Sequence, residues 1–210
     1  MIDVHPPEHG IHGTRDFFLH LFTITIGLLI ALGLEAGVEA VHHRHQREEA
    51  ETLVHGEIQH NLTKLRDGAP EATAELHQMT HVLQTLEARA QAKPGVLNEK
   101  EFTFRESPMQ DAAWRTANST GALTLMDYAE VERFSDAYKE QALLQTMEEL
   151  ALEDYLELLP ILSQHSKDGV VSPEAAKDAI PTTRRVIAHL SGMLDVGAGT
   201  VGAYEAALKQ

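Results

Sequence analysis

From Phe17 to Leu34 the chain runs eighteen residues, FFLHLFTITIGLLIALGL, without an aspartate, glutamate, lysine or arginine. At ~1.5 Å per residue a helix of this run is ~27 Å long, close to the ~30 Å hydrocarbon core of a bilayer. No other stretch is as long and as apolar, and the mean hydropathy of the chain, -0.23, is that of a water-soluble protein. The pattern therefore predicts a transmembrane helix over residues 17–41, preceded by a tail at 1–16 and followed by a soluble domain at 42–210. Two rivals are weaker. A cleaved signal peptide wants a basic start, a short apolar stretch and a small-x-small cleavage site. Val38 and Ala40 imitate that site, but Arg15 is the single Lys or Arg ahead of a long run, and Glu35 and Glu39 stand where a cleavage region is neutral. A buried core helix would be shorter and interrupted by polar residues.

The formal net charge of -15 argues against a nucleic-acid surface or a basic lipid-binding patch. The absence of cysteine excludes disulfides, thiolate metal sites and a cysteine nucleophile, and suits an oxidising envelope compartment without requiring one. Nine of the 13 histidines fall within the first sixty residues, and Trp114 is the sole tryptophan.

Residues 1–16 hold two prolines, two glycines and three histidines with no periodicity, which predicts an extended or weakly ordered, flexible tail. Beyond the apolar run, Val54, Ile58, Leu62 and Leu65 keep a helical stripe, so the anchor is expected to continue as one helix to about Arg66. Asp67-Gly68-Ala69-Pro70 reads as a turn. Leu76, Met79, Leu83 and Leu86, with Val82 beside them, resume the stripe, and the two segments are expected to fold as an antiparallel hairpin. Glu101-Phe102-Thr103-Phe104 reads as a short extended piece. Ser107-Pro108 with Gln110 predicts a helix start, and Gly121 its end. Asp127 with Glu130 caps the next helix, which Pro160 ends or kinks. Ser172-Pro173-Glu174 opens the last helix, bent at Pro181. The expected fold is all-α, a single N-terminal transmembrane helix continuing into a helical bundle or hairpin domain, with about five helices in the soluble part.

GLLIALGLEAGVEAVHHRHQ (residues 27–46) and AAWRTANSTGALTLMDYAEVERFSDAY (residues 112–138) resemble an uncharacterised group of bacterial single-pass membrane proteins. The two motifs cover about a quarter of the chain. The resemblance implies the same layout of tail, anchor with a glutamate near its exit, basic-histidine collar and helices, in a bacterial membrane. It implies no catalytic residues.

On a helix, Glu35, Glu39, His42 and Gln46 share one stripe, while Gly33, Gly37 and Ala40 lie on the other side. The small face lets helix backbones approach and suggests self-association or docking on another membrane helix; ordinary glycine content is the plainer account. Glu35 and Glu39 are intramembrane or interfacial carboxylates, costly in hydrocarbon unless paired or at the headgroups. A proton path is disfavoured because one helix offers no second wall. His42 and His45 at i, i+3 could share a metal, as could His77 and His81 at i, i+4, but headgroup contact and solvation explain them more simply. His55 and His60 would match the heights of His77 and His81 in a hairpin, yet the helical angles keep the four from converging. HQMTH also lacks the glutamate of a zincin motif. GAGTVG, with Gly197, Gly199 and Gly202, imitates a dinucleotide fingerprint, but eight residues remain after it and no βαβ unit can follow. Close helix packing explains these glycines better. Trp114, Arg115, Asn118 and Gly121 form the most motif-like soluble stretch, with Trp114 read as a core anchor before a ligand-pocket residue.

No serine-histidine-acid order or carboxylate pair stands out, so the expectation is a non-enzymatic scaffold or accessory subunit of a larger bacterial membrane assembly, with no cofactor. Its expected partners are membrane lipid and copies of itself or other membrane subunits, not nucleic acid. The alternative is a histidine-rich metal- or haem-binding membrane protein. Arg15 and the α-amine on one side nearly balance Arg44 and Arg47 on the other, leaving a weak lean towards a periplasmic soluble domain.

Overall fold

The computed structural model describes residues 13–97, 104, 108–167 and 170–209. Most of the expected tail, residues 1–12, lies outside them. The fold is all-α: α1 spans Thr14–Ala90, α2 Ala112–Ser119, α3 Tyr128–His165 and α4 Pro173–Ala207, with a 3-10 turn at Ala122–Leu125. A two-residue antiparallel hairpin, β1 (Ser166–Lys167) and β2 (Val170–Val171), joins α3 to α4, with Ser166 opposite Val171. Contacts divide the chain into two units, Met1–Glu48 and Glu49–Gln210.

In the first unit α1 begins at Thr14, inside the expected tail, with Asp16 in its first turn where the helix dipole favours an acid. Its apolar side chains are exposed throughout; Phe22 and Leu34 keep 65% and 68% of their surface. The hydroxyls of Thr23 and Thr25 donate to the carbonyls of Leu19 and Leu21, at 2.9 and 2.8 Å. Such back-bonding leaves these threonines no donor to satisfy outside the helix. Two described helices, α1 and α4, are long and apolar enough to cross a membrane. None of the most apolar window of α1 is buried, against 22% of that of α4.

In the second unit the expected hairpin is replaced by one continuous helix. Asp67-Gly68-Ala69-Pro70 is not a turn, and α1 runs through Pro70 to Ala90. The apolar phase survives the proline: Leu62, Leu65, Ala69, Ala72, Leu76 and Met79 follow one another at spacings of three and four. α3 and α4 are long enough, at 38 and 35 residues, to cover both halves of that face. They lie antiparallel, as Arg185 on Asp154, Gly197 near Leu144, and Tyr204 on Gln141 show. α1 runs alongside α3 through Asn61–Gln141, and against α4 through Arg66–Glu205 and Glu87–Arg184.

The core falls into two clusters. Val54, Ile58, Leu62, Phe134 and Tyr204 lie in one; Met79, Val82, Leu86, Leu158, Val186 and Leu190 lie in the other. Met193 touches both.

The predicted ends hold in part. Gly121 follows α2 with φ 77°, a left-handed turn that suits glycine. The Asp127 carboxylate accepts from the Ala129 amide, and Ser172 caps α4 through the Ala175 amide. Pro160 stays inside α3, on its exposed face. The helix expected from Pro108 begins instead at Ala112, because Asn61 holds the Gln110 backbone outside the helix. Ser107 and residues 101–103 of the predicted extended piece lie outside the described residues.

Candidate functional site

Glu57 and Asn61 sit one turn apart on the edge of the Val54–Ile58–Leu62 stripe, so the same packing that buries the stripe buries them. Asn61 pairs reciprocally with the Gln110 backbone: its amide donates to the carbonyl at 2.7 Å and its oxygen accepts from the N–H at 2.9 Å. Gln141 on α3 accepts from Asn61 and also donates to the Gln110 carbonyl, both at 3.1 Å. The Tyr204 hydroxyl of α4 donates to Gln141 at 2.6 Å. One loop segment is thereby clamped by all three long helices.

The Glu57 carboxylate covers the first turn of α2, accepting from the Ala113 amide at 2.8 Å and the Trp114 amide at 3.3 Å. An anion there answers both the unpaired amides and the helix dipole. The Tyr138 hydroxyl completes it, donating at 2.6 Å. Burial, and then the Glu57 hydrogen bond, push the Tyr138 phenol well above its ordinary value. Burial likewise raises Tyr204. The Glu57 carboxylate thus holds three donors, from α2 and α3. Trp114 is half-buried against the first core cluster and stacks on Tyr138, ring centroids 5.1 Å apart at 12°. It also edges an open depression with Arg115 and Lys139.

A cavity of about 280 Å³ lies where the two core clusters part, walled by α1, α3, α4 and Met109. Small residues make it: Gly68, Ala69 and Ala72 on α1 leave a gap opposite Gly197 and Ala198 on α4. Gly197 is buried, and a Cβ there would meet Leu65 and Leu144 at 3.8 and 4.0 Å. GAGTVG is therefore a helix-packing segment inside α4.

A second polar cluster ties α3 to α4. Buried Asp154 takes Arg185 Nε at 2.9 Å, while His189 Nδ1 stands 3.1 Å from its other oxygen, within ion-pair range but not aligned as a hydrogen bond. Asp154 and Glu157 together hold the Arg185 guanidinium above its ordinary value.

No family model, curated protein or solved structure matches this chain.

The sequence-selected residues divide between the units. Gly33, Gly37, Ala40, Glu35 and Glu39 are all exposed in the first, and a Cβ at either glycine would meet nothing within 4 Å. Glu39 lies 3.9 Å from His43. His42 and His45 are exposed, as are His60, His77 and His81 in the second unit. His55 is half-buried against Phe134 and reaches Glu130 at 3.3 Å. Among the described residues, no three His, Cys, Asp or Glu side chains gather as a metal site. Sequence reasoning missed Glu57, Asn61 and Gln141. The one signal for the first two was a polar pair at i, i+4 abutting an apolar stripe.

Proposed function

We propose that this chain is a membrane-anchored, non-enzymatic helical protein, a scaffold or accessory subunit of a larger bacterial membrane assembly. One observation carries the reading: no residue in the most apolar window of α1 is buried by the rest of the chain. An exposed, uncharged and mostly apolar run of eighteen residues in water is a severe liability, and hydrocarbon or a partner helix removes it. A single crossing is the reading because α4 puts Ala176, Val186, Leu190 and Tyr204 into the core of the second unit. The open Gly33–Gly37 face suits a second helix at close range, and Glu35 beside it suits an electrostatic lock. The helical domain is assigned to the outer side of the bacterial cell membrane.

Purification from native membranes in mild detergent tests this. An oligomer or a complex with other membrane proteins is expected, and Gly33→Leu or Gly37→Leu should break it up. A clean monomer without co-purifying protein would count heavily against the proposal. Protease treatment of spheroplasts should degrade residues 46–210, and their protection would reverse the assigned side.

A further inference from the structure

The polar cluster between α3 and α4 is one positive charge short. Asp154 and Glu157 of α3 share one guanidinium, that of Arg185, whose Nε donates to Asp154 Oδ1 at 2.9 Å and whose Nη2 donates to Glu157 Oε2 at 2.6 Å. The other Glu157 oxygen accepts from the Thr182 hydroxyl at 3.2 Å. The other Asp154 oxygen accepts nothing. It is buried, and 3.1 Å from it stands His189 Nδ1, also buried and also without a hydrogen bond.

Burial makes the shortfall matter. Asp154 keeps 8% of its surface, so its free oxygen is cut off from water, whereas Glu157 is exposed. A buried polar atom without a partner costs about 1–3 kcal/mol, and more when charged. A neutral imidazole does not relieve this cost, because a hydrogen bond needs the alignment that is missing here. An imidazolium does, because Coulomb attraction at this distance does not depend on aim.

No other cationic group lies within ion-pair range of Asp154. Arg184, beside Arg185 on α4, is turned to Glu87 of α1. The other charge that α1 brings to this cluster is negative: Glu75 is buried and helps to raise the Tyr155 phenol. Glu153, next to Asp154 on α3, is an exposed acid. Apolar neighbours flank the pair, with Ala151, Tyr155 and Leu158 on α3 and Val186 and Leu190 on α4.

We propose that His189 is a proton-operated clamp: protonated, it ion-pairs with Asp154 and closes α3 on α4, and loss of the proton loosens the second core cluster along that seam. The folded form then holds this proton more tightly than the unfolded form. By linkage the stability it brings is complete in acid and is lost as the pH rises through the ordinary imidazole range, near ~6.5. The clamp lies wholly in the second unit and does not rest on the membrane-anchor reading.

The test is a double-mutant cycle on the full chain in mild detergent, with His189→Gln, Asp154→Asn and both together. Thermal unfolding is followed by circular dichroism at about pH 5.5 and about pH 8, on either side of the imidazole range. At the lower pH His189→Gln should cost about 2–4 °C, the scale of one partly buried ion pair in a domain of this size. At the higher pH it should cost less than half as much, and the coupling between the two positions should vanish. His60→Gln, at an exposed histidine, should leave the difference between the two pH values as in the parent. Hydrogen exchange corrected for its intrinsic pH dependence should show residues 150–158 and 182–193 better protected in acid. If Asp154→Asn does not fold, the His189→Gln losses at the two pH values decide. Equal losses, coupling that is the same at both pH values, or no added protection of these segments in acid overturns the proposal.

Discussion

The Tyr138 hydroxyl donates to Glu57 Oε1 at 2.6 Å while that carboxylate also holds the first amides of α2. The pair joins α1 to α3 and fixes where α2 starts. Glu57→Ala would leave a buried phenol and two amides unpaired. A loss of roughly 2–4 kcal/mol is expected, and Glu57→Gln, which keeps an acceptor, should lose less. Thermal unfolding of the full chain in detergent, followed by circular dichroism, measures both. Equal losses from the two variants would show that the charge, not the acceptor, is what α2 needs.

Alkaline pH should unfold the second unit through its tyrosines. Burial raises Tyr138, Tyr155 and Tyr204, with Glu57 or Glu75 adding to the shift. Each folded value lies above the unfolded value of ~10, so the stabilisation is complete below ~pH 10 and is lost as pH rises beyond it. Tyrosinate absorbance of these three should therefore appear together with the loss of helix. Tyr138→Phe and Tyr204→Phe should each weaken that pH dependence. A helix signal that persists while all three ionise would contradict it.

Two positions with positive φ should respond in opposite directions. Ala92 follows α1 at φ 56°, in a closure where the Lys93 amide reaches the Ala88 carbonyl at 3.0 Å. This is a Schellman-type stop with alanine where glycine is preferred. Ala92→Gly should stabilise by about 0.5–1 kcal/mol, whereas Gly121→Ala should destabilise by about 1 kcal/mol. Comparing the two melting temperatures with the parent checks the sign of each.

Pro70 sits inside α1 on an exposed face and removes the amide that would bond the Arg66 carbonyl. Pro70→Ala should raise stability by roughly 1–3 kcal/mol without altering helix content. A drop in helicity or in melting temperature would mean that the proline shapes the cavity wall.

The sequence alone determined what local rules govern. An eighteen-residue uncharged run, the cap at Ser172, the turn at Gly121 and the stripes of α1 each depend on neighbours within a turn or two. The same local rules made Asp67-Gly68-Ala69-Pro70 a turn and Ser107-Pro108 a helix start, and tertiary contacts decided otherwise. A proline penalty of ~3 kcal/mol is outweighed when α3 and α4 together bury apolar residues on both sides of it, and that partner surface is set more than sixty residues away. The start of α2 likewise moved to Ala112 because a carboxylate from α1 caps it and Asn61 holds the preceding backbone. Glu57, Asn61, Gln141 and Tyr204 carry no shared motif, since their partnership exists only once three helices lie side by side. The cavity is the same kind of fact: Gly68, Ala72 and Gly197 are ordinary small residues until packing sets them opposite one another.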